Sequence, residues 1–144
     1  MTLDVIRVKK LRQDAKLPVR ATPGATGYDL YACLEADLDV GQQPTRVPTG
    51  IAIEAPEGYD VQIRPRSGLS SQGVMATYGT IDADYRGELL VTLYTLPYRD
   101  PHTVHNGDRI AQLVIARFAD VPLEEVTDLA ESERGTGGHG STGR

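Results

Sequence analysis

The sequence predicts an all-β sandwich or barrel carrying one short helix. Apolar and polar residues alternate with the two-residue period of strands more often than with a helical period, and Gly and Pro punctuate the chain about every 8 to 12 residues. The longer apolar runs are also rich in β-branched residues. The chain of 144 residues suits one domain, without internal repeat or interdomain linker. It has no Trp and one Phe, so Val, Ile, Leu and Ala must fill most of the core.

Along the chain, residues 47–53 (VPTGIAI) read as a strand interrupted by Pro48 and Gly50, which suggests a bulge or an edge. Residues 58–64 (GYDVQIR) alternate cleanly, with Tyr59, Val61 and Ile63 on one face and Asp60, Gln62 and Arg64 on the other. Residues 67–72 form the one short helix, with Ser67 as its cap and Gly73 as its terminator. Residues 89–96 and 110–118 are longer apolar strands, buried on both faces or nearly so. Residues 120–133 carry many charges and read as a solvated approach to the tail. The chain thus divides into a β domain, residues 1–133, and a flexible terminal segment, residues 134–144.

Composition excludes several partners. Net charge is −5 and the basic residues are scattered, so no footprint for duplex nucleic acid appears. The N-terminus has neither a signal-peptide layout nor a membrane-length apolar run, which excludes a membrane partner. A single cysteine, Cys33, rules out an internal disulfide and suits a reducing compartment, so the cytoplasm is expected.

Five stretches carry site chemistry. The densest is residues 79–94 (GTIDADYRGELLVTLY), where Asp82, Asp84, Tyr85 and Arg86 crowd the turn before an apolar strand. A plain hairpin needs only turn residues such as Asn-Gly or Asp-Gly there. The crowding instead suits a carboxylate, an aromatic face and glycine-permitted backbone converging on a small ligand. Asp29, in ATPGATGYDLYA, is either an ordinary turn acid or a residue that serves a divalent metal directly or through water. Arg66, Ser67 and Gly68, in RPRSGLS, place a guanidinium and free N–H groups at a helix start, which favours phosphate, although a simple N-cap would look the same. In GDRIAQLVI, alternation puts Asp108, Ile110, Gln112 and Val114 on one face. A buried amide there must be hydrogen-bonded, so Gln112 needs a partner, backbone or ligand. The tail RGTGGHGSTGR has five glycines in eleven residues and no aliphatic side chain. Alone it cannot offset its ordering entropy, yet its arginines (Arg134, Arg144), hydroxyls and His139 ring suit phosphate and a flat ligand.

Together these stretches resemble the trimeric deoxyuridine triphosphate nucleotidohydrolases (dUTPases). The segments ATGYDLYA, PRSG, GTIDADYRG, GDRIAQL and RGTGGHGSTG match that family's five motifs in order, from about residue 25 to the end. The resemblance implies a jelly-roll-like protomer and a homotrimer with three sites at subunit interfaces. The first, second and fourth motifs would come from one chain, the third from a second and the tail from a third. It implies that Asp82 activates the water attacking the α-phosphorus of dUTP, releasing dUMP and pyrophosphate. It further implies that Asp29 holds a water on the Mg²⁺ that chelates the triphosphate. Arg66, Ser67, Gly68 and Gln112 would contact phosphate oxygens, and Tyr85 would pack on the deoxyribose and exclude a 2′-hydroxyl. Gly79 and nearby backbone would read the uracil edge. Arg134, Gly140, Ser141 and Thr142 would close over the nucleotide, with His139 on the uracil ring. Such an activity limits uracil in DNA and supplies dUMP for dTMP synthesis.

Two departures from the family pattern stand out. His139 replaces the usual phenylalanine, which adds a titratable ring to the lid. The segment between Ser67 and Asp82 is short, with Thr77 and Tyr78 where many members carry an asparagine near the tip of a uracil-binding hairpin. Two other readings were weighed. A dCTP deaminase of the same fold needs an acid in the strand after Glu88, and LLVTLYTL has none. A nucleotide-sensing relative would not need Asp82 beside the phosphate contacts.

Overall fold

The computed structural model describes residues 4–143. Among the described residues eleven strands and one helix follow one another, and every strand pairing is antiparallel. Strands β2 (Tyr28–Tyr31), β6 (Tyr59–Arg64), β8 (Gly79–Ile81) and β11 (Arg109–Arg117) form the largest sheet, in the order β2-β11-β6-β8. Strands β4 (Thr45–Pro48), β7 (Val74–Ala76) and β9 (Leu90–Thr95) form a second, ordered β4-β9-β7. Two pairs complete the fold: β1 (Arg7–Lys10) with β5 (Ile51–Glu54), and β3 (Leu38–Val40) with β10 (His102–Val104). Helix α1 (Ser67–Ser71) connects β6 to β7. One core unites the sheets, with Leu30, Val40, Val47, Ile51, Val61, Leu89, Leu93 and Ile110 almost wholly withdrawn from solvent. These side chains are aliphatic, as a chain poor in aromatics requires. Among the described residues, no helix is long and apolar enough to cross a membrane.

Several expectations need correcting. Residues 47–53 are not one bulged strand. The chain leaves β4, turns at Thr49 and Gly50, and enters β5 in a different sheet. Gly50 makes this possible at φ +72°, and a Cβ there would lie 2.8 Å from the Ala15 Cβ and 2.9 Å from the Cys33 Sγ. Strand β9 is buried on one face only: Val91, Leu93 and Thr95 point inward, while Leu90 is exposed and Thr92 and Tyr94 are half-buried. Strand β11 is apolar on both faces through its middle, but Phe118 lies beyond its end and is half exposed. A register shift between Arg109 and Ala111 buries Ile110 and Ala111 in succession. That bulge breaks the alternation expected from Asp108 to Val114.

The helix begins one residue away from its expected cap. Arg66 holds the N-cap position with extended backbone and no side-chain cap bond, so Ser67 lies inside the helix. Its end is as expected, with Gly73 at φ +80° and its N–H donating to the Ser70 carbonyl at 3.0 Å. The strands flanking Thr77 and Tyr78 do not form a paired hairpin: β7 bonds to β9 and β8 bonds to β6. Residues 120–133 are exposed as expected, yet they include Val121, Leu123, Val126 and Leu129 among their charges.

Substituting Gly50→Ala forces both a left-handed backbone and an overlap with Ala15 and Cys33. It is expected to lower stability by about 2 to 4 kcal/mol, read as a shift in urea midpoint at fixed protein concentration.

Candidate active site

The largest sheet aligns the first polar cluster. The pairing register sets Asp29 opposite Gln112 and Gln112 opposite Arg64, one row across β2, β11 and β6. Directly opposed residues share a face, so Asp29 and Gln112 face the same side. Asp29 is therefore a strand residue and not a turn acid; it is 9% exposed. Its carboxylate lies 3.4 Å from the Arg66 Nε and 3.9 Å from the Arg109 Nη1. A carboxylate withdrawn from water needs such partners to offset its lost solvation. The Gln112 Nε2 donates to the Pro65 carbonyl at 2.9 Å, so the expected partner is backbone. Glycine at position 27 makes room for this arrangement, since a Cβ there would overlap the Gln112 Oε1.

Asp29, Arg66, Ser67, Gly68 and Gln112 line one cavity of about 180 Å³, together with Gly27 and two alanines. Helix α1 makes its first internal bond from the Ser70 N–H to the Arg66 carbonyl. The Ser67 and Gly68 N–H groups precede that bond and are left for a ligand or water. The cavity thus combines a guanidinium, a primary amide, a hydroxyl and backbone donors, a set that suits phosphate oxygens. Among the described residues no group of three or more His, Cys, Asp or Glu side chains clusters to hold a metal.

The second polar cluster sits apart. Asp82, Tyr85 and Glu88 line a cavity of about 200 Å³ with Thr80, Ile81, Leu89 and Leu90. It shares no residue with the first. Asp82 is exposed, and among the described residues its carboxylate has no hydrogen-bond or ion-pair partner. The Tyr85 N–H closes a turn on the Asp82 carbonyl at 3.0 Å, and the Tyr85 hydroxyl donates to the Glu88 carbonyl at 2.9 Å. The Arg86 guanidinium binds the Ala83 carbonyl of its own loop. Gly79 leads into this loop on β8, opposite Ile63. A Cβ at Gly79 would make only ordinary contacts, so nothing within the chain demands glycine there.

The tail joins neither cavity. Arg134, His139, Gly140, Ser141 and Thr142 line neither cluster, and hydrogen bonds of the tail stay within residues 132–143. His139 takes a left-handed backbone at φ +52°, followed by Gly140 at +88°. Arg144 lies outside the described residues. A further concavity, of about 540 Å³, runs between Val5, Val8, Leu17, Tyr28, Tyr59 and Ile115. None of the residues selected from the sequence lines it, and its mostly apolar walls lack the convergent donors of a phosphate site. The candidate site therefore rests with the smaller, polar cavities.

Sequence reasoning missed two residues. Arg109 stands in GDRIAQL, and only the pairing of β11 with β2 brings it to Asp29. Glu88 bonds to Arg12, 76 residues earlier, through an Nη2–Oε2 contact of 2.7 Å, and accepts the Gly50 N–H at 2.9 Å. No local pattern signals that pairing. Burial pushes the Glu88 carboxyl up, but the bonds from Arg12 and Gly50 outweigh it and leave the group below its ordinary value of 4.5. Of the two histidines near β10, His105 is exposed and contacts Asp37 through Nδ1 at 2.9 Å, whereas His102 lies in the strand and is half-buried.

The dUTPase family model matches residues 13–143. The deoxyuridine 5′-triphosphate nucleotidohydrolase of Hydrogenobaculum sp. (strain Y04AAS1) is 47% identical over 139 residues, covering 94% of this chain and 96% of that protein. The same-named protein of Caulobacter vibrioides (strain NA1000 / CB15N) is 46% identical over 146 residues, with 96% and 94% covered. The Staphylococcus bacteriophage 80alpha dUTPase G164S mutant, solved with dUpNHpp, superposes with a TM-score of 0.84 at 27% identity. That match covers 99% of this chain and 100% of the phage chain.

The Glu88 carboxyl has a definite pH signature. A carboxyl lowered on folding contributes stability that is complete above 4.5 and is lost as pH falls through the folded value. Glu88→Gln is thus expected to flatten the loss of stability between about pH 5 and 3, as measured by urea unfolding across that range.

Proposed function

We infer the chemistry of this site from the premise that the chain belongs to the dUTPase family. It is a dUTP diphosphatase of jelly-roll fold and hydrolyses dUTP to dUMP and pyrophosphate. What remains to be proposed is how its residues divide that work. The observation that carries the proposal is the separation of the site's parts within one chain. The donor-rich cavity around Asp29, the exposed Asp82 and the Arg134–Thr142 tail share no lining residue. Each is incomplete for phosphoryl transfer, which needs a base, phosphate neutralisation and water exclusion together.

A homotrimer resolves this. In it the Asp29 cavity of one copy meets the Asp82 loop of a second and the tail of a third. The exposed Leu90, Leu123 and Leu129 suit surfaces that other copies cover. Arg66, the Ser67 hydroxyl, the Gly68 N–H and the Gln112 amide bind the phosphate oxygens. Asp82 orients a water in line with the α-phosphorus and takes its proton as the new P–O bond forms. The bond to the bridging oxygen breaks, and pyrophosphate leaves with that oxygen. Tyr85 lies against the deoxyribose, Gly79 backbone reads the uracil edge, and His139 covers the base. Arg134, Gly140, Ser141 and Thr142 close on the distal phosphates, so residues 134–143 act as a lid separate from the β domain. We place the protein in the cytoplasm, where the lone buried Cys33 stays reduced.

Mg²⁺ is the cofactor this set of residues fits. One carboxylate flanked by two arginines cannot cage a divalent ion alone. It can accept a hydrogen bond from an ion's water when triphosphate oxygens supply the direct ligands. When bound, the ion neutralises charge on the phosphates. Asp29 would hold it through water, while Arg66 and Arg109 keep that carboxylate aimed.

Incubating the protein with Mg²⁺ and each deoxynucleoside triphosphate in turn tests the reading. Pyrophosphate is expected from dUTP and not from dCTP, dATP or dGTP; release from all four equally would refute base selectivity. Asp82→Asn is expected to lower kcat by roughly 10² to 10⁴-fold with dUTP binding largely kept, and normal turnover would remove Asp82 from the mechanism. Ending the chain at Glu133 is expected to depress kcat more than nucleotide affinity, measured by single-turnover kinetics beside equilibrium binding.

A further inference from the structure

The reading above leaves the attitude of the Tyr85 ring unexplained. Beyond Ile81 the chain leaves β8 and re-enters a sheet only at Leu90, so Tyr85 rides an unpaired loop and is 43% exposed. Its hydroxyl is held by one bond, to the Glu88 carbonyl. Gly87 lets the ring fold back, because a Cβ there would overlap the Tyr85 hydroxyl. The direction of the ring therefore depends on where residue 88 is held.

Residue 88 is held firmly. Its carboxylate accepts the Gly50 N–H at 2.9 Å and the Arg12 Nη2 at 2.7 Å. The next residue is tied to the same turn: the Leu89 N–H donates to the Ile51 carbonyl at 2.9 Å, and the Leu89 carbonyl accepts the Thr49 hydroxyl at 2.6 Å. Arg12 is itself seated, since its Nε reaches the Cys33 Sγ at 3.4 Å and the Leu11 N–H donates to the Gly50 carbonyl at 2.7 Å. The pair is partly buried, with side-chain exposures of 38% and 23%. A charge-assisted bond in that setting resists competition from water.

Resting on the assignment of Tyr85 to the sugar, we propose that Glu88, clamped by Arg12, is a positioning residue that sets the Tyr85 ring and thereby the discrimination between deoxyribo- and ribonucleotides. Excluding one hydroxyl by contact demands a wall placed to within a fraction of an ångström. A loop tyrosine meets that demand only if its single tether is anchored to the core. Replacing the carboxylate with an amide keeps the shape but removes the charge that grips Arg12, so the Glu88 carbonyl and the ring above it gain freedom. The effect falls on selectivity because the Glu88 side chain bonds to neither the Asp82 carboxylate nor the phosphate donors.

The test compares dUTP and UTP as substrates for wild type, Glu88→Gln, Tyr85→Phe and the double variant, following pyrophosphate release. Each single change is expected to lower the ratio of kcat/KM for dUTP over UTP about tenfold. The double change is expected to lower it no further, because both act through one bond. An unchanged ratio in a folded Glu88→Gln protein would overturn the proposal, as would multiplicative losses in the double variant. If Glu88→Gln does not fold, Arg12→Lys keeps the charge, loses the two-pronged grip and must lower the ratio similarly; an unchanged ratio there overturns the proposal. A wild type that leaves dUTP intact would overturn the underlying reading and this proposal with it. Intact hydrolysis with unaltered selectivity in the variants would overturn this proposal alone.

Discussion

Strand β11 pairs along both edges, with β2 on one side and β6 on the other, and the polar chemistry of the fold depends on that double pairing. The strand side chains alternate faces, so a slip of one residue would send Gln112 to the opposite side of the sheet. With the register observed, Asp29 and Gln112 fall in one row, and the loop after β6 delivers Arg66 to the same carboxylate. The bulge at Arg109 and Ala111 gives Ile110 and Ala111 both to the core and brings the Arg109 guanidinium within 3.9 Å of Asp29. One irregularity in one ladder thus serves the core and the site at once.

The resulting cavity is built for an anion, although a carboxylate stands in it. Two guanidiniums oppose the single Asp29 charge, which leaves a positive balance together with amide and backbone donors. At 9% exposure the Asp29 carboxylate relies on those arginines as partners, and their removal would leave it unpaired away from water. Asp82 stands in the opposite condition, exposed and unpartnered among the described residues.

Most of this was legible from residues alone where the signal is local. Alternation marked β6, Gly73 marked the end of α1, and the polar residues of β2, α1 and β11 were singled out by chemistry that their neighbours did not need. The failures share a cause. Gly50 reads as a bulge until the sheets on either side of it are known to differ, because a left-handed glycine serves both purposes. Leu90 reads as buried because an apolar run carries no mark of which face lacks a covering layer. Ser67 reads as a cap because cap residues and first-turn residues differ by one position, and here the extended Arg66 takes that place.

The residue order by itself determined the β class, the short helix, the apolar strands and the stretches where polar side chains and glycines crowd together, because each depends on neighbours a few positions apart. Only the tertiary structure decided that Glu88 meets Arg12 across 76 residues, that Arg109 joins Asp29, and that the Asp82 cluster, the phosphate cavity and the tail stand apart within one chain. Those outcomes depend on strand register and on which sheet each strand enters. Long-range pairing sets both, and short windows of sequence do not encode it.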